Sequence, residues 1–348
     1  MAKKSRWILW LVLFVLSATF TVLGWTVIKF YLDYQNLSPN SLIGNKTSAV
    51  EALKEQDFPF NFLVIGDTQS REGAETLIEL AIKKGNASFM VILGDFVSSP
   101  DIWNHRFFLT EMTLEIKPPF PVFLVAGNHD IDYTGLKIKK NERRMTPEIY
   151  QSYYGSMNFD FVFNNCLFII CGVDLKNPSH YLDYLRHTLS QKGSGKRYIF
   201  VFIHYPPKGM AEHIEGSLPI PKEEDFFSLL EAYKVTTCFF GDYHGYWRGQ
   251  RKGVNLIVSG GGGAHLKRSQ WGEFHHIIKV SVGQDKMDEE IITIRGQLEF
   301  EDRLERWAFV CLFPFLQNSV WILYLLFPIL LLISGFLFFK FLEAIRRS

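Results

Sequence analysis

Five apolar runs in the middle of this 348-residue chain each end in a short polar loop. The loops are Gly66-Asp67-Thr68-Gln69, Gly94-Asp95-Phe96, Gly127-Asn128-His129-Asp130, His204-Tyr205-Pro206-Pro207 and Gly241-Asp242-Tyr243-His244-Gly245. The runs alternate with helical patterns, which predicts an α/β layered architecture. Because α/β sheets place their chemistry at the carboxyl ends of strands, we expect the polar side chains to gather at one edge. Further strand-like runs after residue 254 suggest a second, more antiparallel sheet.

The composition excludes one class of partner and indicates the state of the cysteines. The formal net charge is +1, whereas nucleic-acid-binding proteins usually carry a basic excess, so no nucleic acid is expected as a ligand. The chain has no CxxC pair. Cys166 and Cys171 are five residues apart in strand-like sequence, so we expect them to face opposite sides rather than form a disulfide. We interpret all four cysteines as free, apolar side chains.

Two long uncharged runs near the chain ends predict transmembrane helices. Residues 7–28 contain 22 residues without a charge, enough to cross a bilayer core of about 30 Å as a helix. A cleaved signal peptide is the alternative, because Leu16-Ser17-Ala18 resembles a cleavage site. However, the apolar run continues ten residues beyond it, which favours an uncleaved anchor. Residues 319–339 form the second uncharged run, and membrane helices tolerate its internal Pro328.

These runs divide the chain into five predicted segments. Residues 7–28 and 319–339 are the transmembrane helices, and residues 29–57 form a polar linker. Residues 58–300 form one domain. Residues 307–316 are apolar and aromatic, and they are predicted to lie on the membrane as an interfacial segment.

Basic residues flank both spans on the side of the chain termini. They are Lys3, Lys4 and Arg6 before the first span, and Lys340, Arg346 and Arg347 after the second. Because cytoplasmic flanks carry the excess of Lys and Arg, both termini are expected in the cytoplasm and the domain outside it. The second span gives the weaker indication, since Arg303 and Arg306 stand on its other side.

The order and spacing of the five loops resemble the calcineurin-like metallophosphoesterase family over residues 58–266. That family carries Asp-x-His, Gly-Asp, Gly-Asn-His-Asp/Glu, a single His and Gly-His-x-His after successive strands. The resemblance is strongest at Gly127 to Asp130. It implies a layered β-sandwich flanked by helices and two divalent metal ions. It also implies hydrolysis of a phosphate ester or phosphodiester by a metal-activated hydroxide.

The resemblance assigns a role to each polar residue. The implied ligands are Asp67, Gln69, Asp95 and His244 for one ion, and Asp95, Asn128, His204 and Asp242 for the other. Asp95 would therefore bridge the two metals. His129 would face the substrate, where it stabilises the transition state or protonates the leaving oxygen. Asp130 would orient His129.

Two positions depart from the family's pattern. Gln69 stands where the family usually has His, and Asp242 stands where the first His of Gly-His-x-His belongs. Both can bind a metal through oxygen. Asp242 adds one negative charge to the site, so two divalent cations would be fully balanced by three carboxylates and a bridging hydroxide. The hard oxygen donors favour Mn or Fe(II) over Zn.

A neutral site depends more on protein cations to bind a phosphate. Arg71 and Arg248 flank the first and last loops and are candidate substrate-binding residues, with His213 as a third candidate. His105 is expected at an exposed helix start. The four glycines at 260–263 are interpreted as tight backbone packing beside the site.

The leading hypothesis is a membrane-anchored, metal-dependent phosphoric ester hydrolase. Two spans suggest a lipid-linked phosphodiester or pyrophosphate headgroup as substrate. A soluble nucleotide or phosphoprotein also fits, and the choice between monoester and diester stays open. The alternative is a catalytically weakened relative that serves as a membrane scaffold or binding protein. Asp242 keeps that alternative open, whereas the retained His129, Asp130, His204 and His244 count against it.

Overall fold

The computed structural model describes residues 4–35, 40–54, 57–174, 176–211, 218–267, 272–294, 300–312, 314 and 321–346. The chain divides into two compact units. One is built from residues 1–37 and 300–348, and the other from residues 38–299.

Two β-sheets form the centre of the 38–299 unit, which confirms the α/β fold class. The strands are β1 (Phe60–Ile65), β2 (Ala87–Ile92), β3 (Val122–Leu124), β4 (Phe159–Phe163), β5 (Cys166–Cys171), β6 (Tyr198–Ile203), β7 (Thr237–Phe240), β8 (Tyr246–Arg251), β9 (Val254–Ser259), β10 (His275–Val282) and β11 (Met287–Ile294). Within the described ranges, one sheet has the order β11-β10-β1-β2-β3 and the other the order β4-β5-β6-β7-β9-β8.

Each sheet combines a run of parallel strands with antiparallel strands, at one edge of the first sheet and at both edges of the other. β1, β2 and β3 are parallel to one another, as are β5, β6, β7 and β9. The central strands are continuous apolar runs because helices or the other sheet cover both of their faces. Their carboxyl ends share one edge of each sheet, which is where the predicted polar loops leave.

The late strands do not form a separate antiparallel sheet, so that expectation is wrong. β10 pairs antiparallel with β1 and carries β11 at its outer side, which extends the first sheet. β9 instead lies parallel to β7 in the other sheet. Sequence order does not reveal this division, since β10 pairs with a strand that precedes it by about two hundred residues.

Helices pack around this sandwich. They are α2 (Thr47–Glu51), α3 (Glu72–Lys83), α4 (Ile102–Thr110), α5 (Pro147–Tyr154), α6 (His180–Lys192), α7 (Lys208–Ala211) and α8 (Glu223–Ala232). The first helix of the chain, α1 (Lys4–Gln35), belongs to the other unit. α3 buries Leu77 and Ile78 in the same apolar cluster as Leu63 and Ile65 of β1. The opposite face of β1 contributes Phe60 and Phe62 to the core between the sheets.

Aromatic rings fill the space between the sheets. Phe62 is fully buried, and its ring centroid lies 5.2 Å from that of Phe89 in the same sheet. Across the sandwich, the Phe62 centroid lies 5.5 Å from Phe168 and 5.2 Å from Phe200, both in edge-to-face contact. Aromatic pairs of this kind add about 0.5–1.5 kcal/mol each beyond their buried area. These rings fix the two sheets relative to each other.

Part of the predicted linker belongs to the folded unit. Ile43 is fully buried and pairs with Val122 of β3. The side chain of Asn45 accepts the Leu124 amide at 3.0 Å and donates to the Leu124 carbonyl at 2.7 Å. The prediction of a linker over residues 29–57 is therefore wrong for this stretch. The Asn45 side chain forms hydrogen bonds with the otherwise unpaired edge beside β3. The polar composition of the segment does not reveal this contact.

The four cysteines are free, as predicted. Cys166, Cys171 and Cys238 are buried in the sheets, and Cys311 is exposed. Burial raises the pKa of the Cys166 thiol to about 12, so this side chain behaves as an apolar filler.

Two helices from the chain ends are long and apolar enough to cross a membrane, over Trp7–Lys29 in α1 and Tyr324–Arg346 in a C-terminal helix. That C-terminal helix is preceded by α9 (Phe300–Trp307) and is called α10 (Trp321–Arg346). A wide helical turn, Ala308–Leu312, continues α9 through part of the predicted interfacial segment. The remaining residues of that segment, except 314, lie outside the described residues, and its place on a membrane stays a prediction.

α1 and α10 are antiparallel partners. The ring of Phe14 lies 5.1 Å from that of Phe338, and the ring of Trp25 lies 5.6 Å from that of Phe327. Between these pairs, the hydroxyl oxygens of Ser17 and Ser334 are 2.5 Å apart. Hydroxyl pairs are a common contact between membrane helices, where few other polar partners exist. If both helices cross a membrane, their antiparallel pairing puts the two chain ends on the same side.

Candidate metal centre

The strand ends of both sheets bring the predicted ligands together. Asp67 follows β1, Asp95 follows β2 and Asn128 follows β3, while His204 and Asp242 follow β6 and β7 of the other sheet. Asp67, Asp95 and His204 each offer a ligand atom, and these three atoms all lie within 4.8 Å of one another. All three residues are buried.

The carboxylate residues leave their strands in the left-handed backbone region. The φ angles are 55° at Asp67, 49° at Asp95 and 61° at Asp242. A non-glycine residue in this region costs about 1–2 kcal/mol. Such strain is concentrated at functional sites, where the surrounding structure holds it in place.

His204 presents one ring nitrogen to the centre of the site. Its Nδ1–H donates to the Leu93 carbonyl at 2.7 Å, so Nε2 carries the free lone pair of the neutral ring. Nε2 lies 3.0 Å from Asn128 Oδ1, 3.4 Å from Asp95 Oδ1 and 3.7 Å from Asp242 Oδ1. Four acceptor atoms from four loops therefore meet around one point.

His244 is arranged in the same way on the other side of the site. Its Nδ1–H donates to the His265 carbonyl at 2.7 Å, and its Nε2 lies 3.5 Å from Asp67 Oδ1. That buried oxygen accepts no hydrogen bond, while Asp67 Oδ2 accepts the amide of Asp242 at 2.9 Å. Histidine ligands of metals typically hold the other ring nitrogen on a carbonyl in this manner.

The electrostatics of the cluster fit bound cations. Burial alone would lower the pKa of His204. The negative charges of Asp95, Asp67 and Asp242 together have the larger effect and raise this pKa to about 9. Desolvation by burial raises the pKa of Asp67. Even with a proton on Nε2, His204 offers one donor to three surrounding oxygens, and Asp67 Oδ1 has no hydrogen-bond partner. Divalent cations would satisfy these acceptors, so the donor set fits a metal centre.

Asp130 does not orient His129, and that expectation is wrong. The Asp130 carboxylate is fully buried and accepts the backbone amides of Gly127 and Asp95 at 2.8 Å each, and of Val97 at 3.3 Å. It therefore ties the loop after β3 to the loop after β2. Burial and then the nearby charge of Asp95 raise the pKa of Asp130, against the effect of these amide bonds.

His129 is held by a backbone carbonyl instead. Its Nδ1–H donates to Ser98 at 2.8 Å, and its own amide donates to Asp95 Oδ1 at 2.7 Å. The Nε2 atom lies 3.9 Å from Asp95 Oδ2, and 40% of the side chain is exposed. His129 thus stands at the open side of the cluster, where a substrate would enter.

Glycines allow the loops to approach this closely. A Cβ atom at Gly127 would lie 2.3 Å from Asp95 Oδ1 and 2.5 Å from the Asp95 amide nitrogen. A Cβ at Gly260 would lie 2.0 Å from the Tyr243 carbonyl oxygen and 2.7 Å from Asp67 Oδ2. The interpretation of residues 260–263 as tight packing beside the site is confirmed at this position.

The remaining predicted residues lie apart from this convergence or make other contacts. Arg71 Nη2 donates to Gln69 Oε1 at 3.5 Å, beside the loop that carries Asp67. Arg248 lies on β8, and its Nε is 3.2 Å from Glu289 Oε2, which balances its charge. The predicted substrate contact His213 lies outside the described residues.

His105 and Lys137 contact the site although the sequence pattern did not single them out as ligands. His105 is fully buried in α4, so its prediction as an exposed residue is wrong. Its Nε2–H donates to the Asp130 carbonyl at 2.9 Å, and the Tyr154 hydroxyl lies 3.0 Å from its Nδ1. Burial lowers the pKa of His105 to about 3. Lys137 Nζ donates to the Asn128 carbonyl. No local motif marks either residue, because both contacts depend on how separate loops pack.

Comparison with known protein families gives one match. The sequence model of a family described as calcineurin-like phosphoesterase matches residues 60–246. The matched segment contains all five polar loops. The comparison with curated protein sequences gives no match.

Solved structures with a similar fold include enzymes and a membrane-complex protein. The purple acid phosphatase PPD1 from yellow lupin (Lupinus luteus) is 17% identical with a TM-score of 0.54, over 72% of this chain and 55% of that one. This chain thus spans about half the length of the lupin protein. A dimetal phosphatase from Danio rerio is 16% identical with a TM-score of 0.48, over 67% and 96%. GAP50, described as the anchor in the inner membrane complex of Plasmodium, is 15% identical with a TM-score of 0.45, over 72% and 95%.

The contacts of Asp130 predict a structural role that substitution can test. Asp130→Ala removes the acceptor of three buried amides, and each unsatisfied amide costs about 1–3 kcal/mol. We expect this variant to lower the unfolding free energy of the full chain in detergent by about 3 kcal/mol or more. Asp183→Ala, at an exposed carboxylate on α6, serves as the control and should stay within about 0.5 kcal/mol. Wild-type stability of Asp130→Ala would contradict the anchoring role.

Proposed function

This chain belongs to the calcineurin-like phosphoesterase family, and on that premise we propose that it is a metal-dependent phosphoesterase. The observation that carries the proposal is the buried cluster of acceptors around His204 Nε2. Oxygens of Asn128, Asp95 and Asp242 lie 3.0–3.7 Å from that nitrogen, which can offer them at most one proton. A purely structural site would pair such atoms with donors.

We assign two divalent ions to this cluster. Asp67, Gln69, Asp95 and His244 would hold one, and Asp95, Asn128, His204 and Asp242 the other. Asp95 offers a ligand atom within 4.8 Å of those of both Asp67 and His204, which supports its role as the shared ligand. The many oxygen donors favour Mn or Fe(II) over Zn. When bound, the ions supply charge neutralisation at the phosphoryl group and lower the pKa of the attacking water.

The protein side chains would orient the metal ligands and protonate the leaving oxygen. The carbonyls of Leu93 and His265 hold His204 and His244 in the tautomer that leaves Nε2 free for a metal. His129, exposed at the open side and held on the Ser98 carbonyl, can present a proton from Nε2 to the leaving oxygen. Asp130 keeps the loops of Asp95 and His129 at a fixed separation through their backbone amides. Arg71, beside Gln69, is retained as a candidate substrate contact.

We place the enzyme on a membrane through α1 and α10. Their length, apolar composition and antiparallel contacts support two spans. A membrane-anchored active site favours a lipid-linked phosphodiester or pyrophosphate substrate, because the membrane would hold the enzyme and its substrate in the same plane. Asp242 directs an oxygen to the cluster as a ligand would, which counts against the scaffold alternative.

Removal of the shared ligand tests the metal assignment. Asp95→Ala should lose both metals and lower turnover of a generic aryl phosphate by at least about 100-fold, because one carboxylate serves two ions. Metal content is measured by mass spectrometry on the full chain purified in detergent with Mn²⁺. Asp288→Ala, an exposed carboxylate on β11, is the control. Normal metal content and activity in Asp95→Ala would refute the assignment of Asp95 as the bridging ligand. A wild-type chain that binds metal but hydrolyses no phosphate ester would favour the scaffold.

Asp242 gives a second test, because it replaces the family's histidine. Asp242→His should keep two metals and shift the preference from Mn towards Zn, whose sites readily take nitrogen ligands. Asp242→Ala should lose the ion held with Asn128 and His204, since the neighbouring Gly241 has no side chain. The measurement is metal content after incubation with equal Mn²⁺ and Zn²⁺. Unchanged stoichiometry and turnover in Asp242→Ala would show that Asp242 is not a ligand.

The basic flanks predict the orientation in the membrane. Both chain ends should face the cytoplasm and the 38–299 unit should lie outside it, because Lys and Arg are retained on the cytoplasmic side. A reporter fused after Ser348 should therefore be active only if it functions in the cytoplasm. Activity of a reporter that works only outside the cytoplasm would refute this orientation.

A further inference from the structure

Lys137 brings a positive charge to the loop that carries two predicted site residues. Its Nζ donates to the backbone carbonyl of Asn128, and the next residue is His129. By covalent geometry, about 3–5 Å separate this carbonyl oxygen from the side-chain oxygen of Asn128. Lys137 is exposed, and in the part of the chain that the structure describes its ammonium has no carboxylate partner. Its charge is therefore available to an incoming anion.

The loop that presents Lys137 is built around a buried carboxylate. The side chain of Asp132 is inaccessible to solvent and accepts the amides of Gly135 at 2.8 Å and Ile138 at 3.3 Å. Arg144 Nε binds the same carboxylate at 3.1 Å. Gly135 has a φ of +77°, and a Cβ there would lie 2.8 Å from Arg144 Nη2. The loop thus has a defined conformation on both sides of Lys137.

Three arginines of the same unit are less suited to this role. Arg248 is neutralised by Glu289, and Arg143 by Asp101 at 2.7 Å. Arg71 lies on the side of Gln69. Lys137, by contrast, contacts the residue next to His129, on the side where the leaving group is expected.

We propose that Lys137 is a substrate-binding residue that contacts the anionic group of the substrate on the His129 side. This inference rests on the proposed function. A lysine ammonium is a mobile point charge on a long stem, so it can leave the Asn128 carbonyl for a phosphate oxygen. It favours substrates that carry a second negative charge, such as a phosphomonoester or a pyrophosphate, over a singly charged phosphodiester. No bond is made or broken by this residue.

The experiment compares variants of the full chain in detergent, loaded with Mn²⁺. Lys137→Gln removes the charge, Lys137→Arg keeps it, and Lys139→Gln removes a neighbouring exposed charge as the matched control. Two readouts are taken. One is the affinity for inorganic phosphate by calorimetry, and the other is the ratio of kcat/KM for 4-nitrophenyl phosphate to that for bis(4-nitrophenyl) phosphate. Metal content is measured for every variant.

Lys137→Gln should weaken phosphate binding by about tenfold, as expected for one partly screened charge at close range. The ester ratio should fall by a similar factor through KM, while Lys137→Arg and Lys139→Gln stay within about twofold of wild type. Equal phosphate affinity and an equal ester ratio in Lys137→Gln and wild type would overturn the inference, as would a wild-type chain that binds no phosphate. Lys137-dependent phosphate binding without hydrolysis of either ester would refute the phosphoesterase function and leave the binding role of Lys137 in place.

Discussion

Buried negative charge at the strand ends is the constraint on which the site depends. Asp67, Asp95 and Asp242 are at most 6% exposed, and the unpaired burial of even one carboxylate is strongly unfavourable. Backbone amides offset part of this cost: the amide of His129 donates to Asp95, and that of Asp242 to Asp67. These bonds leave several oxygens and the Nε2 of His204 facing one another. The arrangement is stable only with additional positive charge, which protons or cations must provide.

The rest of the fold holds these charges in place. The carboxyl ends of parallel strands bring the loops to one edge, and aromatic packing between the sheets sets the distance between the loops of β1–β3 and those of β6–β7. A second layer of contacts fixes the loops to one another. Asp130 joins the loops after β2 and β3, and His105 joins α4 to the same turn through the Asp130 carbonyl. Left-handed backbone at each Asp, otherwise unfavourable, is retained because these contacts leave the loops no alternative path.

Sequence reasoning was sufficient where the signal is local. Apolar runs followed by Gly-Asp or Gly-Asn-His mark strand ends, and the structure brings Asp67, Asp95, Asn128 and His204 together as that order predicts. It failed where the deciding contact is between distant segments. Nothing in the local sequence shows that Asp130 binds three amides rather than His129, because two of those amides, at Asp95 and Val97, belong to a loop more than thirty residues earlier. The pairing of β10 with β1 and the burial of Ile43 against β3 are likewise long-range.

The departure at Asp242 and the position of Lys137 concern the same half of the site. Asp242 Oδ1 lies 3.7 Å from His204 Nε2, which in turn lies 3.0 Å from Asn128 Oδ1, and Lys137 donates to the carbonyl of that asparagine. A carboxylate in place of a neutral histidine lowers the positive charge available to a phosphate in this half. On the proposed ligand assignment, the Lys137 ammonium would restore one unit of that charge without itself binding a metal. The charge would then attract an anion without strengthening the Lewis acidity of the metals. Such a site gains substrate affinity from the protein rather than from its ions, which makes binding and chemistry separable by substitution.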